Sequence, residues 1–140
     1  MNKTLNIYTD GGARGNPGPA ASSFVAIDEG KVIHKNSLYL GVRTNNEAEY
    51  EAVILALSWL INNLDILEHK DIVFKLDSEL VARQLSGIYK IKSPNLRILV
   101  TKIKNLESRL EKKIKYISVR REKNKLADVL VNRKLDENMS

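Results

Sequence analysis

Four acidic residues mark this chain because each lies at the edge of a different predicted strand or helix. They are Asp10, Glu49, Asp77 and Asp128. A fold that gathered their carboxylates would create an anionic pocket, and oxygen-rich pockets suit hard divalent cations such as Mg²⁺ or Mn²⁺. Two such ions about 3.5–4 Å apart can activate a water molecule and stabilise the leaving oxygen of a phosphodiester. These residues therefore predict a metal-dependent enzyme that cuts a phosphate backbone.

Each acid also has a simpler interpretation. Asp10 precedes a glycine-rich segment and could be only a turn residue, whereas Asp77 precedes a predicted helix and could cap it. Glu49 lies about 70° from the centre of the apolar face of its predicted helix, so it flanks the core side. Asp128 could merely complement the dipole of the last predicted helix. The metal-site hypothesis therefore depends on the order of the elements.

Length and composition predict one globular domain spanning residues 1–140. The chain is 43% hydrophobic, which is ordinary for a folded protein. It contains no cysteine, so disulfides and thiolate zinc sites are excluded. No apolar run resembles a signal peptide or approaches the length of a membrane span. We therefore expect a soluble, cytoplasmic protein with no membrane partner.

The net charge of +6 is unevenly distributed. Residues 83–134 carry 16 Lys and Arg against four Asp and Glu, whereas the remainder carries seven against 13. Such a bias is typical of a surface that binds a polyanion, although a merely solvated surface has the same composition. Charge alone does not separate nucleic acid from an anionic membrane.

Hydrophobic periodicity predicts an α/β fold with the element order βββαβααβα. Short links between the first three strands favour antiparallel pairing, and links through helices favour parallel pairing of the others. A mixed five-stranded sheet with helices on both faces follows. The predicted strands are 5–9, 21–27, 32–40, 72–76 and 114–119. The predicted helices are 46–63, 78–85, 94–111 and a last one that Asn124 caps and that ends near 135.

Glycine and proline content predicts a loop between the first two strands. Residues 11–19 hold four of the seven glycines and two of the three prolines. This segment lacks the Lys-Ser/Thr of a P-loop and the spacing of a dinucleotide-binding fingerprint. The strand at 72–76 is mostly apolar, which predicts a strand covered on both faces.

The segments around the four acids resemble the four motifs of type 1 ribonuclease H. YTDGGARGNPGP at 8–19 resembles the first motif and TNNEAEY at 44–50 the second. LDS at 76–78 resembles the third motif and NKLAD at 124–128 the fourth. The resemblance covers nearly the whole chain in order, and the short segment before Asp128 resembles the archaeal-type, short-loop branch of ribonuclease HI.

The resemblance implies a ribonuclease H-like fold and an endonuclease that hydrolyses the RNA strand of RNA–DNA hybrids, leaving 5′-phosphate and 3′-hydroxyl ends. It assigns the four acids to two Mg²⁺ or Mn²⁺ ions, with Asp10 bridging both and Glu49 near the 2′-hydroxyl that marks RNA. It implies that Thr44 grips a phosphate of the DNA strand. The implied partner is the hybrid, and the implied assembly is a monomer. The residues implied to contact the hybrid are Gly11, Asn16, Thr44, Asn45 and Asn46.

Two departures and two alternatives accompany the resemblance. Many family members carry a His shortly before the fourth acid, and here Glu122 is the candidate substitute. Glu79 stands where the family often has a Gln after the Asp-Ser pair. One alternative is another polynucleotidyl nuclease of the same fold, against which the Asn45-Asn46 pair argues. The other is a catalytically silent nucleic-acid-binding module, against which the four acids argue.

Overall fold

Three long strands open the fold and pair antiparallel in the order of the sequence. In the computed structural model, which describes residues 3–139, they are β1 (Lys3–Ala13), β2 (Gly18–Asp28) and β3 (Lys31–Arg43). Glu29 and Gly30, both with positive φ, form the turn between β2 and β3 and close the hairpin in two residues. The opening antiparallel meander is therefore confirmed.

The first two strands are longer than predicted. Residues 11–13 continue β1 and residues 18–20 begin β2, so the loop shrinks to residues 14–17. Gly11 serves close packing instead of a turn: a Cβ on it would lie 2.2 Å from the carbonyl oxygen of Ala48. Because composition cannot distinguish a glycine in a loop from one beneath a helix, the predicted strand ends were wrong here.

The remaining elements follow the predicted order. The helices are α1 (Asn45–Ile61), α2 (Glu79–Leu85), α3 (Pro94–Leu110) and α4 (Lys125–Met139), and the strands are β4 (Lys70–Leu76) and β5 (Ile114–Ser118). Short 3₁₀ turns occupy Leu64–Leu67 and Arg121–Lys123. The last helix runs four residues further than predicted. Within residues 3–139, no helix has both the length and the hydropathy that a bilayer span requires.

Across residues 3–139 the five strands form one mixed sheet in the order β3-β2-β1-β4-β5. β1 pairs parallel with β4, and β4 pairs parallel with β5. Thr9 of β1 lies opposite Leu76 of β4. Their carboxyl ends therefore meet at one edge, the place where open α/β sheets commonly bind ligands.

Helices cover the sheet unequally. α1 packs against β1 and β2, with α3 behind it, and α4 crosses the opposite face of β2, β3 and β1. β2 is therefore buried on both faces, whereas burial in β4 alternates along the strand. The prediction that β4 is covered on both faces was wrong because α4 lies over the other half of the sheet. The principal buried side chains are Leu5, Ile7, Phe24, Tyr50, Leu57, Leu60, Ile72 and Phe74.

Trp59 of α1 is partly buried and packs against the core. Its ring centroid lies 5.6 Å from that of Phe24 and 4.8 Å from that of His34. The His34 ring stacks on Trp59 and is half-buried. This contact joins β3 to α1 across β2.

A methyl group at Gly11 should disrupt the contact between β1 and α1. Gly11→Ala should destabilise the protein by about 2–3 kcal/mol because the backbone of Ala48 cannot retreat as a flexible side chain would. Gly12→Ala is the matched control, since its Cβ would meet only Val131 Cγ1, at 3.9 Å. Urea unfolding measures both, and equal stability of the two variants would contradict the close-packing role.

Candidate metal centre and adjoining groove

Asp10 and Asp77 lie side by side because β1 and β4 are parallel neighbours in register. Asp10 follows Thr9, whose pairing partner Leu76 precedes Asp77. Asp77 does not cap α2, since the Ser78 hydroxyl accepts the hydrogen bond from the Val81 N–H instead. Its carboxylate is therefore available to the cavity, which removes the simpler interpretation of this residue.

Glu49 reaches the same point from α1. The helix begins with a capping box in which Thr44 Oγ1 accepts from the Glu47 N–H and Glu47 Oε1 accepts from the Thr44 N–H. The absence of a side chain on Gly11 lets the backbone at Ala48 rest on β1, so the next residue, Glu49, overhangs Asp10. Glu49 is only 8% exposed, deeper than its position on the helix predicted.

Two adjacent buried serines on β2 hold the helices that carry Glu49 and Asp128. The Ser22 hydroxyl donates to the Ala48 carbonyl on one face of the sheet, and the Ser23 hydroxyl donates to the Ala127 carbonyl on the other, each at 2.6 Å. Each accepting carbonyl belongs to the residue immediately before an acid. Hydrogen bonds between fully buried groups fix such backbone positions firmly.

Asn124 ties the start of α4 to β1. Its Nδ2 donates to the Thr9 carbonyl at 2.8 Å, and the residue is 1% exposed. Its Oδ1 has no hydrogen-bond partner among residues 3–139, so its side chain does not cap the helix. The predicted cap is therefore right in position and wrong in role.

Three of the four predicted acids form a tight cluster. One carboxylate oxygen from each of Asp10, Glu49 and Asp77 lies within 4.8 Å of the others. Asp128 lines the same open cavity, of about 520 Å³, and its side chain reaches Asp10. Asn132 Nδ2 donates to the carbonyl oxygen of Asp128, one turn earlier in α4, at 3.1 Å. Carboxylate oxygens so arranged could hold a metal ion.

The cluster strongly disfavours ionisation. Burial raises the pKa of Asp10 to about 8, and the charges of Asp77 and Asp128 contribute. Burial also raises the pKa of Glu49 well above its usual value, with further contributions from Asp10 and Asp77. Without a cation, at least one of these carboxyl groups is therefore expected to resist ionisation.

One buried oxygen shows that a positive partner fits the site. Glu49 Oε2 is buried and has no hydrogen-bond partner within the described part of the chain. A buried acceptor of this kind is costly unless a cation or donor satisfies it. The unsatisfied oxygen and the donor chemistry of the cluster both match a hard divalent ion.

Arg121 is a residue of the cavity that sequence reasoning missed. Burial raises the pKa of Asp77, Arg121 lowers it through its positive charge, and Asp128 raises it again. Glu122, the expected substitute for the family His, instead lines a separate cavity beside Tyr8 and Lys123. The expectation for Glu122 was therefore wrong, because the 3₁₀ turn places consecutive side chains in different cavities.

Four of the five predicted substrate residues, Asn16, Thr44, Asn45 and Asn46, line a second cavity of about 440 Å³, whereas Gly11 lines the acid cavity. Asn45 lines both cavities, so the two adjoin. No signal in the sequence pointed to Ser93 and Asn95, which reach this cavity from the start of α3. The residues that line it are Asn16, Thr44, Asn45, Asn46, Glu47, Ser93, Asn95 and Leu96.

Two asparagines lock the β1–β2 loop onto the start of α1. Asn16 Oδ1 accepts from the Asn45 N–H at 2.9 Å, and Asn45 Oδ1 accepts from the Ala13 N–H at 2.8 Å. Because both contacts use the amide oxygen, each side chain keeps its NH₂ donors for a ligand. The loop residue Arg14 is also tied to α4, through an ion pair with Asp136 at 2.7 Å.

Comparison with known proteins agrees with this fold. The family model described as Reverse transcriptase-like matches residues 8–134. The crystal structure of LC11-RNase H1 in complex with an RNA/DNA hybrid is 44% identical and has a TM-score of 0.92, covering 98% of this chain and 100% of that one. The RNase H1 structure from Halobacterium salinarum is 34% identical with a TM-score of 0.86, covering 96% of this chain and 98% of that one.

The sheet, the acid cluster and these matches define a nuclease-type α/β domain. The chain belongs to the ribonuclease H family. Among curated relatives, the Ribonuclease HI of Halobacterium salinarum is 34% identical over 95% of this chain. A bifunctional protein of Mycobacterium tuberculosis is 36% identical over 93% of it. The chain spans 65% and 35% of the lengths of these two relatives.

The raised pKa of Asp10 predicts how metal-free stability changes with pH. The folded protein binds a proton at Asp10 that the unfolded chain releases near pH 4, so stability should fall as pH rises from about 4 to 8. In EDTA at pH 8, Asp10→Asn should raise the melting temperature by roughly 5 °C, since the repulsion is gone.

Asp65→Asn, an exposed change outside the cavity, is the control for that measurement. Added MgCl₂ should then stabilise the wild type more than Asp10→Asn, because binding to the folded state adds stability. A melting temperature independent of pH in EDTA, or a less stable Asp10→Asn, would contradict the electrostatic account.

Proposed function

We propose that this chain is a metal-dependent endonuclease that hydrolyses the RNA strand of RNA–DNA hybrids and leaves 5′-phosphate and 3′-hydroxyl ends. The observation that carries the proposal is the convergence of Asp10, Glu49 and Asp77 within 4.8 Å in an open cavity. The RNA/DNA hybrid in the complex of LC11-RNase H1 supports the choice of substrate.

Asp10, Glu49, Asp77 and Asp128 are proposed to hold two Mg²⁺ or Mn²⁺ ions. Bound ions of this kind would activate water and stabilise the leaving oxygen of the scissile phosphodiester. The chain holds its acids rigidly, through the β1–β4 pairing and the serine bonds to the helices, so little reorganisation is needed before reaction. Glu49 is proposed to lie near the 2′-hydroxyl of the scissile RNA nucleotide.

The adjoining cavity is proposed to hold the hybrid. Asn16, Asn45 and Asn46 present short amides of the kind that reach the edges of bases in a wide minor groove. Gly11, which lines the acid cavity, is proposed to contact the hybrid through its backbone. Thr44 Oγ1 accepts its capping hydrogen bond, so its O–H remains a donor for a phosphate oxygen of the DNA strand. Contacts of this kind fix register and orientation.

Arg121 is proposed to contact a phosphate of the RNA strand. It lines the acid cavity and is the cation whose charge acts on Asp77. A guanidinium can pair with two phosphate oxygens at once, which suits positioning beside a pocket that otherwise repels anions.

Asp10→Asn should abolish cleavage and leave binding of the hybrid intact or tighter, because one repulsive charge is removed near the phosphate. Cleavage of an end-labelled hybrid with Mg²⁺ or Mn²⁺ measures turnover, and fluorescence anisotropy measures affinity. Asp65→Asn should behave as wild type. Retained turnover in Asp10→Asn would contradict the metal role.

The same cleavage assay separates the remaining alternatives. A catalytically silent module would bind the hybrid without cutting it, and another nuclease of this fold would cut a matched DNA duplex instead. Activity on an RNA duplex is measured beside them, and selective loss of the RNA strand of the hybrid is the expected result.

Substitutions at Thr44 should separate the helix cap from the phosphate contact. Thr44→Ala loses both, so it should raise KM roughly 5–30-fold and destabilise the protein by about 1 kcal/mol. Thr44→Asp keeps a good cap but repels phosphate, so it should raise KM at unchanged melting temperature. Thr44→Ser should resemble the wild type. An unchanged KM in Thr44→Asp would remove Thr44 from the interface.

A further inference from the structure

The start of α4 has a second face that lines a surface groove, on the side away from the acids. Asp128, Val131 and Asn132 face the acid cavity, whereas Val129 and Arg133 line a different groove. At 100° per residue the centres of these two faces are about 130° apart around the helix. A ligand in the second groove would therefore leave the acid cavity open.

This groove, here called the α4 groove, lies between α4 and strands β1–β3. It consists of two cavities of about 190 and 310 Å³ that share Val25 and Leu126 as common walls. Leu126 is 56% exposed, Val32 48% and Val129 40%, so a run of large aliphatic side chains remains open to solvent along it. Contiguous exposed apolar surface of this kind marks interaction sites.

The rim of the α4 groove is basic. Lys35 lies at the β3 side, Lys123 and Lys125 at the start of α4, and Arg133 two turns further along. The acid that lines it is Glu122. Four cations against one carboxylate around an aliphatic floor select a ligand that is anionic and carries apolar side chains.

We propose that the α4 groove binds an acidic peptide segment of a partner protein through apolar anchor side chains. An aliphatic floor with a charged rim fits peptide anchors flanked by Asp or Glu, as in recognition of helices or strands by grooves. Nucleic acid fits less well, because bases need aromatic platforms. Tyr8, the aromatic residue of this groove, already lies against Lys75, whose Nζ is 5.3 Å from its ring centroid.

Selection from a random peptide library tests the proposal. The full chain is immobilised, phage-displayed 12-residue peptides are selected against it, and the enriched peptides are synthesised with a fluorescent label. They should carry Asp or Glu beside Leu, Ile or Phe. Val129→Glu and Leu126→Glu, which place a charge on the exposed apolar floor, should each weaken their binding at least tenfold. Lys125→Glu combined with Arg133→Glu should weaken it similarly.

Matched controls isolate the groove. Val42→Glu changes an equally apolar residue of β3 that is 64% exposed outside the groove, and Lys102→Glu changes an exposed cation of α3. Both should bind the peptides as wild type does. Circular dichroism melting confirms that each variant is folded, and two independent floor variants protect the test against one that fails to fold.

Several results would overturn the proposal. They are the absence of enriched peptides, enrichment of peptides without acidic residues, or equal binding to Val129→Glu and the wild type. A labelled 12-nucleotide single strand that binds more tightly than the peptides and is lost in the same variants would assign the groove to nucleic acid. Cleavage of the hybrid by Val129→Glu should stay within twofold of the wild type, so the result is independent of the proposed nuclease activity.

Discussion

Repulsion among three clustered carboxylates, two of them buried and one half-buried, is the constraint on which this structure depends. Asp10, Glu49 and Asp77 come from two strands and a helix, and nothing local would bring them together. Their raised pKa values show that the packed sheet and helices hold them where they would not ionise freely. The fold therefore carries local instability at one edge, which a bound cation would offset. Stability in the rest of the core makes this arrangement tolerable.

Helix α1 sets the spacing between the acid cluster and the adjoining cavity that Thr44 lines. Thr44 caps α1 beside the cavity that also holds Asn16 and Asn46, and Glu49 lies in the acid cluster five residues later. At 1.5 Å per residue, about 7.5 Å of rigid helix separates them. A duplex gripped at Thr44 would therefore meet the acids at a fixed offset, and Asn45, which lines both cavities, occupies the junction.

Much of this arrangement was predictable from the sequence. Hydrophobic periodicity predicted the element order, and the links through helices favoured parallel pairing of the later strands. Asp10 and Asp77 were expected side by side only on the condition that β1 and β4 are parallel neighbours, and the structure meets that condition. The burial of Glu49 was harder to predict, because it depends on how closely α1 approaches β1. Gly11 controls that approach, and no local sequence pattern marks this role.

Other features depend on contacts between distant segments and carried no sequence signal. Arg121 and Glu122 are neighbours of similar length, yet they line different cavities, and only the path of the 3₁₀ turn decides which. Asn95 lines the same cavity as Thr44 because α3 begins near the start of α1, although the two helices are far apart in the chain. Short motifs readily identify the residues that take part in chemistry. They do not identify the residues that tertiary packing places beside them.

The adjacent serines of β2 have a consequence for how such a site can change. Ser22 and Ser23 point to opposite faces and fasten the backbones just before Glu49 and Asp128. Strand residues alternate in direction, so displacing β2 by a single position would turn each hydroxyl away from its helix at once. One strand thus positions both acids. A shift of β2 that changes the position of Glu49 would also break the hydrogen bond that holds the backbone before Asp128.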